Sequence, residues 1–99
     1  MNIDLRHKKR PLEMMEIEQI ARSFVVDNFL FGDDSQLIED TSFLESGIID
    51  STGMLELVGF LEERFGIRVE DEELVPDNLD SLQNIAAFIA RKLNGKVSI

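Results

Sequence analysis

The 99-residue chain contains no cysteine, no tryptophan and no tyrosine, and its only histidine is His7. Without cysteine, the chain can form neither a disulfide framework nor a reactive thiol of its own. Because the histidine lies near the N-terminus, in a predicted tail, we expect no serine–histidine pair for nucleophilic catalysis. These absences exclude thiol chemistry by this chain and argue against a serine hydrolase.

Long apolar runs are missing as well. No stretch approaches the roughly 20 apolar residues needed to span a bilayer, and the N-terminus lacks the apolar segment of a secretory signal. We therefore expect a cytoplasmic protein that is not an integral membrane protein. The sequence also lacks a P-loop, a dinucleotide fingerprint and a metal-ligand cluster. Residues 49–53 half-resemble a nucleophile elbow, but its first glycine is absent, so no catalytic or metal-binding residue is expected.

Positive charge is scarce and unevenly placed. The chain has 10 Lys and Arg against 20 Asp and Glu, a net charge of −10. Residues 1–10, which we predict to be a disordered tail, hold four of the basic residues and only one acidic residue. The remainder therefore has six basic and nineteen acidic residues. Such a field argues against nucleic acid as a partner and favours partners with basic surfaces.

Helical patterns dominate the rest of the chain and predict an all-α fold. Pro11 suits the first position of a helix, and Gly32 is expected to end that helix. A second helix runs from Ser51 to Arg64 or Phe65, before a glycine that stops it. Between these two helices no long helical or alternating pattern is visible. A connection of this length is unusual unless it is packed or functional.

The C-terminal third adds a short turn and a further helix. Residues 70–74 form a single helical turn at most, which Pro76 closes. The run 80–83 (Asp-Ser-Leu-Gln) is a capping-box signature for the last helix, and Asn94-Gly95 ends that helix. We therefore predict a small four-helix bundle of three longer helices and one short one. Its bounds are residues 11–95, with a frayed C-terminus at 96–99.

Apolar residues at helical spacing define the predicted inward faces. In the helices these are Ile17, Ile20, Ala21, Phe24, Phe31, Met54, Val58, Leu61, Phe65, Leu82, Ile85, Ala86, Ile89 and Leu93. In the long connection, the residues expected to hold it to the bundle are Leu37, Ile38, Phe43, Leu44, Ile48 and Ile49. The pattern leaves two readings open for Phe60, Leu61, Ile67, Leu74, Phe88 and Ile89, which either line a cavity or fill the core. Of two helical glycines, Gly59 is expected to permit close helix approach and Gly53 to leave room for a partner or an attached arm.

The most informative stretch surrounds Asp50 and Ser51. Gly47 can adopt the positive φ of a tight turn, and Asp50-Ser51 follows at the start of the second helix. A serine there lies beside free backbone N–H groups and the positive end of the helix dipole, which favours a phosphate ester on its hydroxyl. The plain alternative is that the pair only caps the helix. These residues alone leave both readings open.

The wider pattern resembles the acyl carrier protein family from about Leu12 to Leu93. The residues that carry this resemblance are Asp40, Phe43, Gly47, Asp50, Ser51, Glu56, Leu57, Val58 and the run 61–67. Fatty-acid carriers usually have leucine and then an acidic residue after the serine, where this chain has Thr52 and Gly53. The form Gly-x-x-Asp-Ser-x-Gly is more similar to D-alanyl carriers and other stand-alone carriers that ligases load.

The resemblance implies that Ser51 carries covalent 4′-phosphopantetheine and that Asp50 helps to place the Mg²⁺ used in its attachment. A phosphopantetheinyl transferase would add the arm. An acyl- or aminoacyl-activating ligase, or an acyltransferase, would load its thiol, and downstream acyl-processing enzymes with basic docking surfaces would take the cargo. The expected docking residues are Thr52, Leu55, Glu56, Glu62 and Glu63. We expect a monomeric carrier for lipid or secondary metabolite biosynthesis, whose cargo is a fatty acyl, aminoacyl or hydroxyacyl group.

An unmodified acidic module that binds proteins is the alternative function. Such a module would bind a basic partner through its helical surface without any attached group. It would have no need for Asp50-Ser51 at a helix start beside Gly47. The Ser51→Ala substitution separates the two readings, because it leaves the function of such a module intact and abolishes that of a carrier.

Overall fold

The computed structural model describes residues 14–97, with side chains described through residue 94. This part of the chain is all-α, as predicted, and forms five helices, of which three are long. They are α1 (Met14–Phe29), α2 (Phe43–Ser46), α3 (Ser51–Phe65), α4 (Pro76–Leu79) and α5 (Leu82–Val97), with a 3₁₀ turn at Asp71–Glu73. The predicted N-terminal tail, His7 and the predicted helix start at Pro11 lie outside the described residues.

Helix α1 buries Ile17, Ala21 and Val25 at a spacing of four residues, which places them on one face of the helix. The helix ends at Phe29, earlier than predicted, and the chain turns back through Phe31 and Gly32, whose φ values are +55° and +85°. The prediction that Phe31 faces inward is wrong, because its side chain is 97% exposed. Since the helix stops two residues before Phe31, helical periodicity no longer governs where that side chain lies.

The connection between α1 and α3 contains a short helix that the sequence pattern did not predict, α2. Leu37, Phe43 and Ile49 of this connection are buried, as expected. Ile38 and Leu44 are exposed, so their predicted inward placement is wrong. Each directly follows a buried residue, and neighbouring side chains on irregular or helical chain do not share a face.

Asp80 joins this connection to the start of the last helix. Its carboxylate accepts hydrogen bonds from the Ser42 hydroxyl and, at 2.9 Å, from the Leu44 N–H. Its carbonyl accepts a third from the Phe43 N–H at 3.0 Å. The predicted capping box is therefore wrong, because the Asp80 carboxylate does not cap α5. Ser81 caps α5 by accepting from the Asn84 N–H at 3.1 Å, while Asp80 is used by residues distant in sequence.

Two predicted helix boundaries in this half also differ. Pro76 does not only close the preceding turn, because it is the first residue of α4, a position that suits proline. Helix α5 runs to Val97 and does not end at Asn94-Gly95. An interior glycine costs about 1 kcal/mol of helix stability but does not force a helix to stop.

One apolar core joins the three long helices. Leu57, Leu61, Ile85 and Ile89 are fully buried together with the inward face of α1. Of the six residues that were predicted either to line a cavity or to fill the core, Leu61, Ile67, Phe88 and Ile89 are in the core and Phe60 packs against it. The filled-core reading is therefore correct for these five. No helix in the described range is long and apolar enough to cross a membrane.

Candidate functional site

Ser51 is the first residue of α3, and its side chain is exposed. The capping of α3 is carried out by its neighbour, Asp50. One carboxylate oxygen of Asp50 accepts the Gly53 N–H at 2.8 Å, and its carbonyl accepts the Met54 N–H at 2.8 Å. The Ser51 hydroxyl forms no hydrogen bond with any of the residues that the structure describes. The plain capping role is thus filled by Asp50, and Ser51 has no such role.

The chain leading to Ser51 is held by short-range contacts. Gly47 adopts a left-handed conformation (φ +80°) that ends α2, and its N–H donates to the Leu44 carbonyl at 3.2 Å. Ile49 is only 1% exposed, and its N–H donates to the Phe43 carbonyl at 3.2 Å. Because Ile49 is fixed in the core, the two residues that follow it are delivered to the surface in a defined place.

Gly53 lies in the first turn of α3 and is buried against Phe29 from the end of α1. A Cβ atom at position 53 would lie 2.8 Å from Cε1 of Phe29, 3.0 Å from Cγ2 of Ile49 and 3.3 Å from Oδ1 of Asp50. The ring of Phe29 therefore occupies the space next to Gly53. The prediction that Gly53 leaves room for a partner or the arm is wrong, because the ring of Phe29 fills that space.

Gly59, further along α3, has different surroundings. It is exposed, and a Cβ atom added there would have no neighbour within 4 Å. Its predicted role in close helix approach is therefore wrong. Position in the helix distinguishes the two glycines. Gly53 lies four residues before the buried Leu57 and so on the same face, whereas Gly59 directly follows the buried Val58 and points elsewhere.

The docking residues predicted from the resemblance lie on α3 as follows. Thr52, Leu55, Glu56 and Glu63 are exposed, and Leu55 exposes 64% of its surface. Glu62 is only half-exposed, and its carboxylate accepts the Val69 N–H at 2.9 Å. The structure thus gives Glu62 a structural contact that the sequence pattern did not reveal. A docking role for these five residues stays a prediction.

The charged side chains in the sequence around Ser51 all have one sign. Between Arg22 and Arg64 the chain has no Lys, Arg or His, but it has ten Asp or Glu residues. This segment includes the connection, α2 and nearly all of α3. An uninterrupted stretch of negative charge attracts basic surfaces and raises the rate at which they associate. The Ser51 end of the molecule is therefore suited to basic partners.

An apolar groove of about 110 Å³ lies beside the first turns of α3. Its walls come from α2, α3 and the 74–79 segment, and its main apolar lining residues are Leu44, Met54, Leu55, Leu74, Val75 and Leu79. Of these lining residues, only Leu74 was among those predicted either to line a cavity or to fill the core. Leu44 was predicted to pack inward and Leu55 to contact a partner, whereas both are exposed at this groove.

In the described residues, no cluster of His, Cys, Asp and Glu side chains could hold a metal ion by itself. The only carboxylate adjacent to Ser51 in sequence is that of Asp50, one oxygen of which is engaged by the Gly53 N–H. The second oxygen makes no hydrogen bond with the residues described.

Comparison with known proteins agrees with this site. A family model described as "Phosphopantetheine attachment site" matches residues 30–89. An acyl carrier protein of Thermosynechococcus vestitus is 32% identical over 82 residues, which cover 83% of this chain and 98% of that protein. An acyl carrier protein of Akkermansia muciniphila is 36% identical over 75 residues, which cover 76% of this chain and 90% of that protein.

A solved structure titled "Crystal structure of FAD-dependent dehydrogenase" contains a chain with a similar fold. The TM-score is 0.63 at 28% identity, and the match covers 70% of this chain and 97% of that chain.

This chain belongs to the acyl carrier protein family, whose members bear phosphopantetheine. It is a carrier protein with covalently attached 4′-phosphopantetheine as its cofactor. The relatives named acyl carrier protein favour a carrier over a catalyst.

Proposed function

We propose that Ser51 is the residue that carries the phosphopantetheine group and that this chain delivers acyl groups between partner enzymes. The observation that supports this most directly is the division of roles at the start of α3. Asp50 caps the helix, while the exposed Ser51 hydroxyl has no hydrogen-bond partner among the described residues. A hydroxyl in that situation is accessible to an enzyme and can be esterified without removing a contact of the fold.

The surroundings of Ser51 fit a phosphate ester. Its position in the first turn of a 15-residue helix places it by the positive end of the helix dipole. When attached, 4′-phosphopantetheine supplies the thiol that holds acyl groups as thioesters. The side chain of Ser51 anchors the group, and Asp50 keeps the helix start ordered. We also propose that the second carboxylate oxygen of Asp50 helps to place Mg²⁺ while a phosphopantetheinyl transferase acts.

The chain itself needs no catalytic residue in this function. We propose that an acyl- or aminoacyl-activating ligase, or an acyltransferase, loads the thiol and that acyl-processing enzymes take the cargo. These enzymes would dock through basic surfaces on Thr52, Leu55, Glu56, Glu62 and Glu63. The carrier then contributes delivery and a high local concentration of cargo. We place this work in the cytoplasm, with the carrier as a monomer.

The apolar groove beside α3 is the part of this chain that can shelter a cargo. Its volume of about 110 Å³ suits a small acyl group or the first carbons of a longer one. Met54 and Leu55 lie in the first turns after Ser51, so the groove opens on the helix that bears the attachment residue. Pathway and cargo identity follow from the ligase that loads the chain.

One downstream partner is suggested by the solved structure of similar fold, whose title names an FAD-dependent dehydrogenase. We propose that a flavin-dependent dehydrogenase is one enzyme that acts on the tethered group. Bleaching of the flavin absorbance on mixing with the acylated carrier, but not with the unmodified chain, would support this partner. An unchanged flavin spectrum with the acylated carrier would count against it.

The attachment residue is tested by mass spectrometry. The wild type, Ser51→Ala and Ser23→Ala are each co-expressed with a broad-specificity phosphopantetheinyl transferase, and their intact masses are compared. Ser23 is a matched control because it is also an exposed helical serine. We expect one added phosphopantetheine on the wild type and on Ser23→Ala, and none on Ser51→Ala. Loading of Ser51→Ala would assign the group to another residue.

A further inference from the structure

The side chain of Phe31 is 97% exposed, although it belongs to one of the most apolar residue types. It is also the only non-glycine residue with a positive φ (+55°) in the described part of the chain. A bulky residue in the left-handed region costs free energy that glycine does not. The position therefore combines two unfavourable features, an exposed aromatic ring and a strained backbone.

The fold accounts for the backbone at this position but not for the side chain. The turn after α1 is closed by the Gly32 N–H, which donates to the Val26 carbonyl at 3.0 Å, and by the Asp33 N–H, which donates to the Leu30 carbonyl at 3.0 Å. Both bonds use main-chain atoms, so glycine at position 31 would allow them equally well. Among the described residues, the ring of Phe31 makes no aromatic contact, unlike Phe24 and Phe29. A strained residue that the fold does not need points to a function.

Phe31 lies at the same end of the molecule as Ser51. The ring of Phe29 packs against Gly53, within the first turn of α3. Because only one residue separates Phe29 from Phe31, their Cα atoms are at most about 7 Å apart. A protein interface buries about 800 Å² per partner, a disc with a radius of roughly 16 Å. An interface that extends from Ser51 across Gly53 and the end of α1 therefore approaches Phe31.

The charge around Phe31 indicates the chemistry of what covers it. Asp27, Asp33 and Asp34 are exposed close to it in sequence, within the segment that has no basic residue. An exposed aromatic side chain flanked in sequence by exposed carboxylates complements an apolar pocket with a rim of Lys and Arg. Exposed aromatic rings that fill a partner's pocket are typical of the few residues that dominate binding energy.

We propose that Phe31 is an aromatic anchor for the phosphopantetheinyl transferase, inserted in an apolar pocket that basic residues surround. This proposal rests on the proposed modification of Ser51. We assign this surface to the transferase because the transferase must bring its reacting atoms to the Ser51 hydroxyl itself. Enzymes that process the cargo also dock on α3, but they meet the cargo at the end of the arm, so their reacting atoms need not reach the Ser51 hydroxyl.

The experiment measures the loading kinetics of the full chain by a purified broad-specificity transferase with coenzyme A, followed by intact mass. Phe31→Gly removes the ring and the strain together, and Phe31→Leu keeps part of the apolar surface. Ile38→Ala is the matched control, because Ile38 is another exposed apolar residue of the same connection, 58% exposed. For Phe31→Gly we expect a KM roughly tenfold higher, with little change in kcat, as for loss of an interface aromatic. The KM of Phe31→Leu should lie between those of the wild type and Phe31→Gly, and the KM of Ile38→Ala should match that of the wild type.

The melting temperature is the second measurement, and it separates binding from folding. Phe31→Gly should melt at the same temperature as the wild type or higher, because glycine relieves the strain. A wild-type KM in Phe31→Gly would overturn the anchor and leave Ser51 as the attachment residue. A clearly lower melting temperature would also overturn it, by showing that the ring serves the fold. Failure of the wild type to be loaded at all would instead reject the proposed function.

Discussion

The two glycines of α3 provide a controlled test of how the first turn of that helix is packed. Gly53→Ala and Gly59→Ala make the same change in the same helix, so both gain about 1 kcal/mol of helix propensity. At position 59 the new Cβ enters open space. Gly59→Ala should therefore stabilise the protein by close to that full amount.

At position 53 the new methyl group would overlap its neighbours. It would lie 2.8 Å from Cε1 of Phe29 and 3.0 Å from Cγ2 of Ile49, whereas carbon atoms pack best at about 3.5–4.0 Å. Ile49 is fixed in the core at 1% exposure, so Phe29 must give way by most of an ångström. Overpacking of this kind costs about 1–3 kcal/mol. Because the propensity gain is common to both variants, their difference in unfolding free energy measures this cost alone.

Urea unfolding followed by far-ultraviolet circular dichroism gives the two free energies. We expect Gly59→Ala to exceed Gly53→Ala by about 1–3 kcal/mol, a gap of at least about 4 °C in melting temperature for a domain of this size. The double variant Phe29→Leu/Gly53→Ala should recover part of the loss, because it removes the ring edge that the methyl group meets. Equal stabilisation by Gly53→Ala and Gly59→Ala would refute the close packing of Phe29 on α3.

Three further outcomes follow from the structure. The backbone N–H of Glu70 and then the Lys92 ammonium lower the pKa of Glu73 from its ordinary value of 4.5. The stability that this carboxylate contributes is therefore present above about pH 4.5 and is lost as the pH falls through the lower folded-state pKa. Urea unfolding from pH 7 to pH 3 should show a wild-type advantage over Glu73→Gln that shrinks at acid pH, and a constant gap would contradict the assignment. Asp50→Ala should lose about 1 kcal/mol of unfolding free energy through loss of the helix cap. Asp50→Asn should keep its stability, but the transferase should load it more slowly if the carboxylate places Mg²⁺. Equal loading rates for Asp50→Asn and the wild type would rule out that role. Because the net charge is −10, moderate salt or Mg²⁺ should raise the melting temperature by relieving self-repulsion, and an unchanged or lower value would argue against it.

Much of the fold could be predicted because helical periodicity survives wherever the chain is helical. Ile17, Ala21, Leu61 and Ile89 were placed inward by spacing alone, and all four are fully buried. The C-terminal end of α3 could be predicted because Gly66 readily adopts the left-handed conformation (φ +66°) that ends the helix.

The errors lie where periodicity ends or where a distant partner competes with a local one. Phe31 fits the face of a helix that in fact stops before it. The local pattern assigns Asp80 to the cap of α5, but Ser42 and the Leu44 N–H use its carboxylate, across 38 and 36 residues of sequence. No short-range rule can anticipate such a partner.

The proposed attachment residue could be named from its sequence neighbours, but the shape of its surroundings could not be predicted. Asp50 and Ser51 stand at a helix start that the sequence pattern locates correctly. The groove beside them is formed by Leu44, Leu55 and Leu74, which come from three separate segments. Sequence spacing carries no information on how those segments meet. The ring of Phe29 against Gly53 was invisible for the same reason.

The separation of tasks between Asp50 and Ser51 has a consequence for the life of the molecule. On the proposed attachment, the arm on residue 51 is loaded and unloaded many times. Here the hydrogen bond that starts α3 belongs to residue 50, so the covalent state of residue 51 can change without breaking that bond. Successive partners would then meet the same helix start and would distinguish the forms of the carrier by the attached group.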